Sequence, residues 1–399
     1  MAVPAPVSTV PTRPVHIVFV GAGAVGCFYA SRLHHPDSNI HVSLIGRSNY
    51  AALAKNGVHL ETHSFGDYVF RPHAVFPSVK AATPVDPDSI SETDDEDEDD
   101  PGRDGRNGYG SSPNPPREWD FVVVTTKALP DLGDDAATIV PLVGPNTSIV
   151  LIQNGVGVEA PYRRRFPQTP IVSAVTVVSA EQIRPGVIRQ NRWTRLHLGA
   201  YTYSAESKAP RSLGPSRGGS WAVAPEKELT RRGSEAVARL ADWWTHLGGI
   251  RDIEQLDEVG LQTVRWHKLC INAAFNPSAV LSGGRGNADM ASDPELRIHL
   301  GGVMDEIWQA APRILGRPFP EGLARPDRIL ASTDRNKGAR PSMLLDWEAG
   351  RPLELEVIVG NPVRIARARG VDLPRMQTLY ALLRSTQAMR EKKMAPAKL

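Results

Sequence analysis

The sequence predicts an α/β N-terminal domain followed by an all-helical C-terminal domain. The first observation is the apolar, β-branched run Val15–Val20, which leads directly into a glycine-rich turn and a helix-compatible segment. The second is that apolar runs of strand length recur as far as Ile253. The third is that the pattern beyond Asp257 becomes mainly helical. We therefore expect domains at residues 14–256 and 257–399.

Length, composition and charge narrow the class of protein. The chain has 399 residues, of which 41% are hydrophobic and 23% charged, as in ordinary globular proteins. Its formal net charge of +2 points to neither nucleic acid nor an anionic membrane, and no apolar run reaches the ~18 residues of a membrane span. Residues 1–14 lack the features of a secretory signal, and Cys27 and Cys270 lie in apolar surroundings typical of buried thiols. A cytoplasmic location is the expectation.

The turn after the first strand has the G-x-G-x-x-G pattern of a dinucleotide-binding loop. It consists of Gly21, Ala22, Gly23, Ala24, Val25 and Gly26. Gly21 permits a tight turn, Gly23 lets the backbone approach a pyrophosphate, and Gly26 allows close packing of helix on strand. A glycine turn can also be purely structural, but a strand before it and a helix after it favour binding. We therefore predict that this loop binds a dinucleotide in a Rossmann-type domain.

The end of the second strand, Ile40–Ile45, indicates which dinucleotide is bound. Sites for NAD place an acidic residue near this point, where it binds the ribose 2′-hydroxyl. This chain has Gly46, Arg47 and Ser48 there instead. Because a guanidinium suits a 2′-phosphate, we predict NADP as the cofactor and Arg47 as a binding residue. The alternative is an arginine that only faces solvent.

Two later strands are followed by polar residues. Residues 119–127 are predicted to form a buried parallel strand that ends at Lys127, and residues 148–152 a second strand followed by Asn154. In an open α/β sheet, ligands bind at the carboxyl ends of the strands. Lys127 and Asn154 are therefore predicted to face the cofactor crevice, although both are also ordinary turn residues.

Two stretches interrupt the first domain. Residues from about 80 to 118 are first acidic and then rich in Gly, Ser, Asn and Pro, so we expect a disordered surface insertion. These carboxylates lack the spacing of a folded ligand loop, and no metal site is predicted. A second loop insertion is expected at about 204–225. The other expected elements are strands at 58–60, 68–70, 171–178 and 187–198, a turn at 184–186, and a helix at 234–247 capped by Ser234.

The C-terminal domain opens with a stretch that carries chemistry. If residues 265–277 form a helix, Lys268, Asn272 and Asn276 lie four residues apart on one face. One ammonium and two carboxamides make a suitable receptor for a small oxygen-rich molecule. The same row of side chains is also compatible with a solvated helix edge.

The chain resembles the ketopantoate reductase (2-dehydropantoate 2-reductase) family. The resemblance covers nearly the whole length and rests on the order and joint presence of several motifs. These are the glycine loop, the strand ending in Lys127, Gln153-Asn154-Gly155, Trp266-His267-Lys268 with Asn272 and Asn276-Pro277, and Ser342-Met343 through Glu354. Leu345 and Leu353 depart from the family pattern, because they stand where the family often has polar residues.

The resemblance implies a role for each of these positions, in a cleft between a Rossmann-type domain and a helical domain. Lys268 matches the family's general acid and also touches substrate. Asn272, Asn276 and Ser342 match substrate-binding positions, and Asn287 matches a further asparagine if one residue is inserted. The glycine loop, Lys127, Asn154 and Glu354 match cofactor-binding positions, with Asn154 and Glu354 also near the substrate.

The implied activity is the NADPH-dependent reduction of 2-dehydropantoate to pantoate, in pantothenate biosynthesis. The residue types agree with it, because an ammonium can stabilise the charge that develops on a carbonyl oxygen and then donate a proton. Two alternatives stay open: a related NADP-dependent reductase of another 2-keto acid, and a non-catalytic NADP(H)-binding regulatory protein. The expected partner is a small 2-keto acid, with no nucleic acid and no membrane, and a homodimer is left open.

Overall fold

The computed structural model describes residues 10–84, 114–202 and 226–394. Most of the stretch expected as the first insertion, residues 85–113, and all of the second, residues 204–225, lie outside the described residues. In the described residues, ten strands form one sheet. They are β1 Val15–Val20, β2 Ile40–Ile45, β3 Val58–Thr62, β4 Tyr68–Phe70, β5 Val75–Phe76, β6 Phe121–Val124, β7 Ser148–Leu151, β8 Ile171–Arg184, β9 Val187–Tyr201 and β10 Ile253–Gln255.

The strand order is β4-β3-β9-β8-β7-β6-β1-β2-β5, and β10 pairs with the later half of β9. The six strands from β5 to β8 in this order run parallel. The chain leaves β1 toward β2 on one side and reaches β6 on the other, so the carboxyl ends of β1 and β6 form a topological switch point. Such a point is where an open α/β sheet binds its ligand.

Helices cover both faces of the sheet and make up the part of the chain that follows it. They are α1 Ala24–Ser31, α2 Tyr50–Asn56, α3 Asp135–Thr138, α4 Glu159–Arg165, α5 Glu226–Asp242, α6 Glu258–Leu281, α7 Asn287–Ser292, α8 Pro294–Leu315, α9 Pro326–Asp334, α10 Ser342–Glu348, α11 Asn361–Ala368 and α12 Pro374–Met394. A π-helical turn at Trp243–Leu247 follows α5, and a second at Glu356–Gly360 precedes α11.

The apolar residues form separate cores on either side of the sheet and among the C-terminal helices. Alternate residues of β1 enter different cores: Ile17 and Phe19 lie in one, Val18 and Val20 in the other. Because β1 is buried on both faces, all of its residues except His16 are apolar. A third core joins α6, α8, α10, α11 and α12. A Rossmann-type domain with a helical C-terminal part confirms the predicted fold class.

Several sequence predictions of local structure are confirmed, and two are wrong. The strands predicted at 58–60 and 68–70 exist as β3 and β4, and the predicted turn contains Gly186 at φ +77°. Cys27 and Cys270 are buried, free thiols. None of the described helices is long and apolar enough to cross a membrane.

The first correction concerns Ser234, which lies inside α5 and caps nothing. Arg231 forms ion pairs with Glu228 and Glu235, three and four residues away, and these pairs support the helix well before Ser234. The second concerns the strand predicted to end at Lys127, since β6 ends at Val124. Its neighbour β1 turns away into the glycine loop after Val20, so Lys127 lies on the following loop.

Candidate active site

The glycine loop lies between β1 and α1, and its three glycines meet different surroundings. Gly21 has φ +113°, and a Cβ placed there would come 2.8 Å from the amide nitrogen of Thr126. A Cβ on Gly26 would come 2.1 Å from the carbonyl oxygen of Gly21. A Cβ on Gly23 would meet no atom within 4 Å. Gly21 and Gly26 are therefore required by packing, whereas Gly23 leaves its backbone open to a ligand.

The start of α1 suits an anion. Its first turn carries no acidic residue, so the unpaired amides and positive end of the helix dipole face no competing carboxylate. Thr125 on the loop after β6 donates a 2.6 Å hydrogen bond to the carbonyl oxygen of Gly21 and holds the turn closed. The residues present fit the diphosphate of a dinucleotide.

Arg47 follows β2 by two residues and is exposed. No acidic side chain of the described residues forms an ion pair with it, so its guanidinium remains available to a ligand. Sequence analysis gave no role to its neighbour Asn49, which is buried. The Asn49 side chain donates to the carbonyl oxygen of Ala22 at 2.9 Å and to Oε1 of Gln182 at 2.8 Å. Asn49 thereby ties the turn that carries Arg47 to the glycine loop.

Three predicted site residues from distant parts of the chain form one hydrogen-bonded group, which we call the polar triad. Lys268 on α6 donates from Nζ to Oδ1 of Asn154 at 2.8 Å. Asn154, on the loop after β7, donates from Nδ2 to Oε2 of Glu354 at 3.2 Å. The amide of Ala128 donates to the other Glu354 oxygen at 3.3 Å. The triad thus joins the sheet's carboxyl edge to the C-terminal helices.

Burial sets the acidity of both charged triad members. Desolvation, aided by the positive charge of Arg265, lowers the pKa of Lys268 to about 8, while the carboxylate of Glu354 opposes this shift. Desolvation raises the pKa of Glu354, and hydrogen bonds from Asn154 and Ala128 oppose it. A lysine with a pKa near 8 can give up a proton close to neutral pH, as a general acid must.

The two asparagines on α6 extend from the triad. Asn272 lies one turn beyond Lys268, and both line a small cavity with Asn154, Val175 and Leu269. Asn276, a further turn along, is buried. Neither asparagine side chain has a hydrogen-bond partner among the described residues, so their amides are available to a ligand. The observed helix confirms that Lys268, Asn272 and Asn276 share a face.

The remaining predicted residues make no hydrogen bond to the triad in the described structure. Lys127 forms an ion pair with Asp346, which also accepts a 3.0 Å hydrogen bond from Arg351. Ser342 is exposed at the first position of α10. Asn287 begins α7, where its amide donates to the carbonyl oxygen of Ala339. The described structure gives neither Ser342 nor Asn287 a contact with the triad.

Two family models match the chain. The model described as "Ketopantoate reductase PanE/ApbA" matches residues 17–203, and the one described as "Ketopantoate reductase PanE/ApbA C terminal" matches residues 260–387. The chain belongs to the ketopantoate reductase family. This confirms the resemblance, and members of the family are oxidoreductases of the ketopantoate reductase type.

Individual relatives span nearly the whole chain at low identity. A 2-dehydropantoate 2-reductase from Nostoc sp. is 27% identical over 370 residues, covering 92% of this chain and 93% of the relative. The crystal structure of 2-dehydropantoate 2-reductase from Methylococcus capsulatus has a TM-score of 0.67 and 28% identity, covering 96% and 99% of the two chains. A D-mandelate dehydrogenase structure with NADH and anilino(oxo)acetate shares the fold, with a TM-score of 0.62 and 16% identity over 94% and 99%.

Sequence analysis of this family member missed two buried charges beside the triad. Asp346 pairs with Lys127, and Arg265 lies one helical turn before Lys268. A signal for Arg265 was present, because an arginine three residues before a lysine on one helix lies next to it. No comparable signal marks Asp346, since its partner is more than 200 residues away in the sequence.

Proposed function

We propose that this protein is an NADPH-dependent 2-dehydropantoate 2-reductase that makes pantoate for pantothenate biosynthesis in the cytoplasm. The observation that carries the proposal is the polar triad, in which a partly buried lysine of lowered pKa contacts Asn154 at the carboxyl edge of the dinucleotide-binding sheet. A family match over both parts of the chain supports the same reaction class.

The residues suit the chemistry of a keto acid. Bound NADPH would supply a hydride to the carbonyl carbon of the substrate. Lys268 would stabilise the negative charge that develops on the carbonyl oxygen and donate its Nζ proton there. Asn272 and Asn276 would orient the carboxylate and hydroxyl groups without adding a competing charge. Asn154 and Glu354 would hold the lysine in place.

NADP is the proposed form of the cofactor. The exposed, unpaired Arg47 after β2 is suited to a 2′-phosphate, and no acidic residue stands at that strand end. A comparison of NADPH and NADH as reductants tests this, and a lower KM for NADH would contradict it. The homodimer is a proposal that a molar mass from light scattering tests.

The decisive assay follows NADPH oxidation with 2-dehydropantoate, on the wild type beside Lys268→Ala. We expect turnover to fall by about 10²–10⁴-fold, the usual range for a positioned acid. Lys55→Ala, on the exposed side of α2, is the control and should match the wild type. Near-normal reduction by a folded Lys268→Ala variant would remove the lysine from the mechanism.

A second candidate is a reductase of another 2-keto acid. The buried Leu353, one residue before Glu354, stands where the family often has a polar residue. A panel of 2-keto acids in the same assay separates the two candidates. NADPH binding without turnover across the panel would instead support a non-catalytic regulatory protein.

A further inference from the structure

We propose that Arg265 is a positioning residue of this reductase, whose guanidinium clamps the turn 153–155 and so aims Asn154 at Lys268. The inference rests on the proposed function for its catalytic meaning. Arg265 itself lies behind the triad and is 3% exposed.

The contacts of Arg265 converge on the turn that carries Asn154. Its Nη1 donates to the carbonyl oxygens of Gln153 and Gly155, each at 3.0 Å. These carbonyls belong to the residues immediately before and after Asn154. Its Nη2 donates to Oγ of Ser173 at 2.6 Å on neighbouring β8. A single planar guanidinium thus fixes the backbone on both sides of the asparagine, which a lysine with its point charge could not do.

The C-terminal helices hold the same turn from the other side. The amide of Val156 donates to the carbonyl oxygen of Val357 at 2.8 Å, and Nδ2 of Asn361 donates to the carbonyl oxygen of Val156 at 2.9 Å. Gly155 has φ +87°, and a Cβ there would come 2.4 Å from the Val357 oxygen. The turn therefore has little freedom, since Val357 and Asn361 hold it as well as Arg265.

The counter-ion of Arg265 is Glu159, which is fully buried. Its Oε1 lies 3.1 Å from Nε of Arg265 and accepts hydrogen bonds from Ser173 at 2.7 Å and Gln262 at 3.0 Å. A buried ion pair usually stabilises a fold no better than well-packed apolar side chains would. The pair is thus better explained by what the guanidinium positions than by stability alone.

Arg265 also acts on Lys268 through its charge. The charged groups that face Lys268 are Arg265 on its own helix and Glu354 across the triad, and Glu354 in turn faces Lys127 and Asp346. Of the first two, Arg265 lowers the pKa of Lys268 and Glu354 raises it. Removing the guanidinium should therefore raise the pKa of Lys268 as well as release Asn154.

The test uses Arg265→Gln together with Glu159→Gln, because the single Arg265→Gln variant would leave a buried carboxylate unpaired. We expect kcat to fall by about 10²-fold through misplacement of Asn154. We also expect the pKa of Lys268 to rise by about one unit. That pKa is read from the pH dependence of Lys268 acetylation by acetic anhydride, followed by mass spectrometry, and needs no turnover.

The matched control is Arg163→Gln. Arg163 is a second buried arginine, and it donates to the backbone carbonyls of Phe166, Thr169 and Tyr201 in the same manner, away from the triad. The Arg163→Gln variant should lower the free energy of unfolding without changing kcat or the acetylation pKa of Lys268. Wild-type kcat and acetylation profile in the double variant, or the same changes in Arg163→Gln, would overturn the proposal.

Two other outcomes of the test have to be distinguished. If the double variant does not fold, Ser173→Ala is measured instead, because it removes one anchor of the guanidinium and leaves both charges. We then expect kcat to be about threefold lower, and an unchanged kcat would contradict the clamp. If the wild type reduces no keto acid yet the acetylation pKa still rises in the double variant, the proposed function fails while the arrangement around Lys268 stands.

Discussion

The glycine loop and the polar triad are built in opposite ways. The loop is six consecutive residues, and two of its glycines answer local steric demands, Gly21 against Thr126 and Gly26 against the carbonyl oxygen of Gly21. The triad joins Lys268 to Asn154, 114 positions away, and Asn154 to Glu354, 200 positions away, and it depends on burial and neighbouring charges. Damage to the loop should therefore act on stability and cofactor binding, whereas damage to the triad should act on turnover.

Two glycines of the loop, Gly26 and Gly23, should respond differently to the same substitution. Gly26→Ala puts a methyl group against the Gly21 carbonyl and should destabilise the fold by about 3 kcal/mol, measured by urea unfolding. Gly23→Ala meets open space and should leave the free energy of unfolding unchanged. It should nevertheless weaken NADPH binding by about tenfold, because the methyl group would stand where the backbone approaches the diphosphate. Equal unfolding free energies for the two variants would break the distinction.

Asn154→Ala tests the triad. The change removes both the acceptor of the Lys268 proton and the donor to Glu354. We expect kcat to fall by about 10²-fold while the NADPH dissociation constant changes much less. Asn146→Ala, which removes an exposed asparagine bonded to Glu118, is the control. A loss confined to NADPH affinity would assign Asn154 to the cofactor and not to the acid.

Arg47→Ala should produce the smallest effect. Loss of a charge-assisted contact to the 2′-phosphate should raise the KM for NADPH by about tenfold and leave that for NADH unchanged. Arg71→Ala provides an exposed control arginine beyond β4. Equal changes for both reductants would show that Arg47 does not read the phosphate.

The same contrast explains how far the sequence could be interpreted. Strand, glycine loop and helix are local patterns, so Gly21, Gly23 and Gly26 could be placed without a structure. The shared face of Lys268, Asn272 and Asn276 followed from helical spacing alone. The hydrogen bond between Asn154 and Lys268 joins two domains. Only the resemblance to a known family indicated that these two residues belong to one site.

What the sequence could not reveal is the set of buried partners. The pairing of Arg265 with Glu159 and of Lys127 with Asp346 depends on how helices pack on the sheet. Helix α5 begins before the predicted start at Ser234, in a segment where Arg231 pairs with Glu228 and Glu235. Both failures concern charges whose role is set by neighbours.

The most direct test of Lys268 as the proton donor is the pH dependence of kcat/KM for 2-dehydropantoate. The acid must be protonated, so activity should be high below its pKa of about 8 and fall about tenfold per pH unit above it. The residual activity of Lys268→Ala should lack this alkaline limb. A wild-type profile that stays flat across that range, or a limb that persists in Lys268→Ala, would contradict the account.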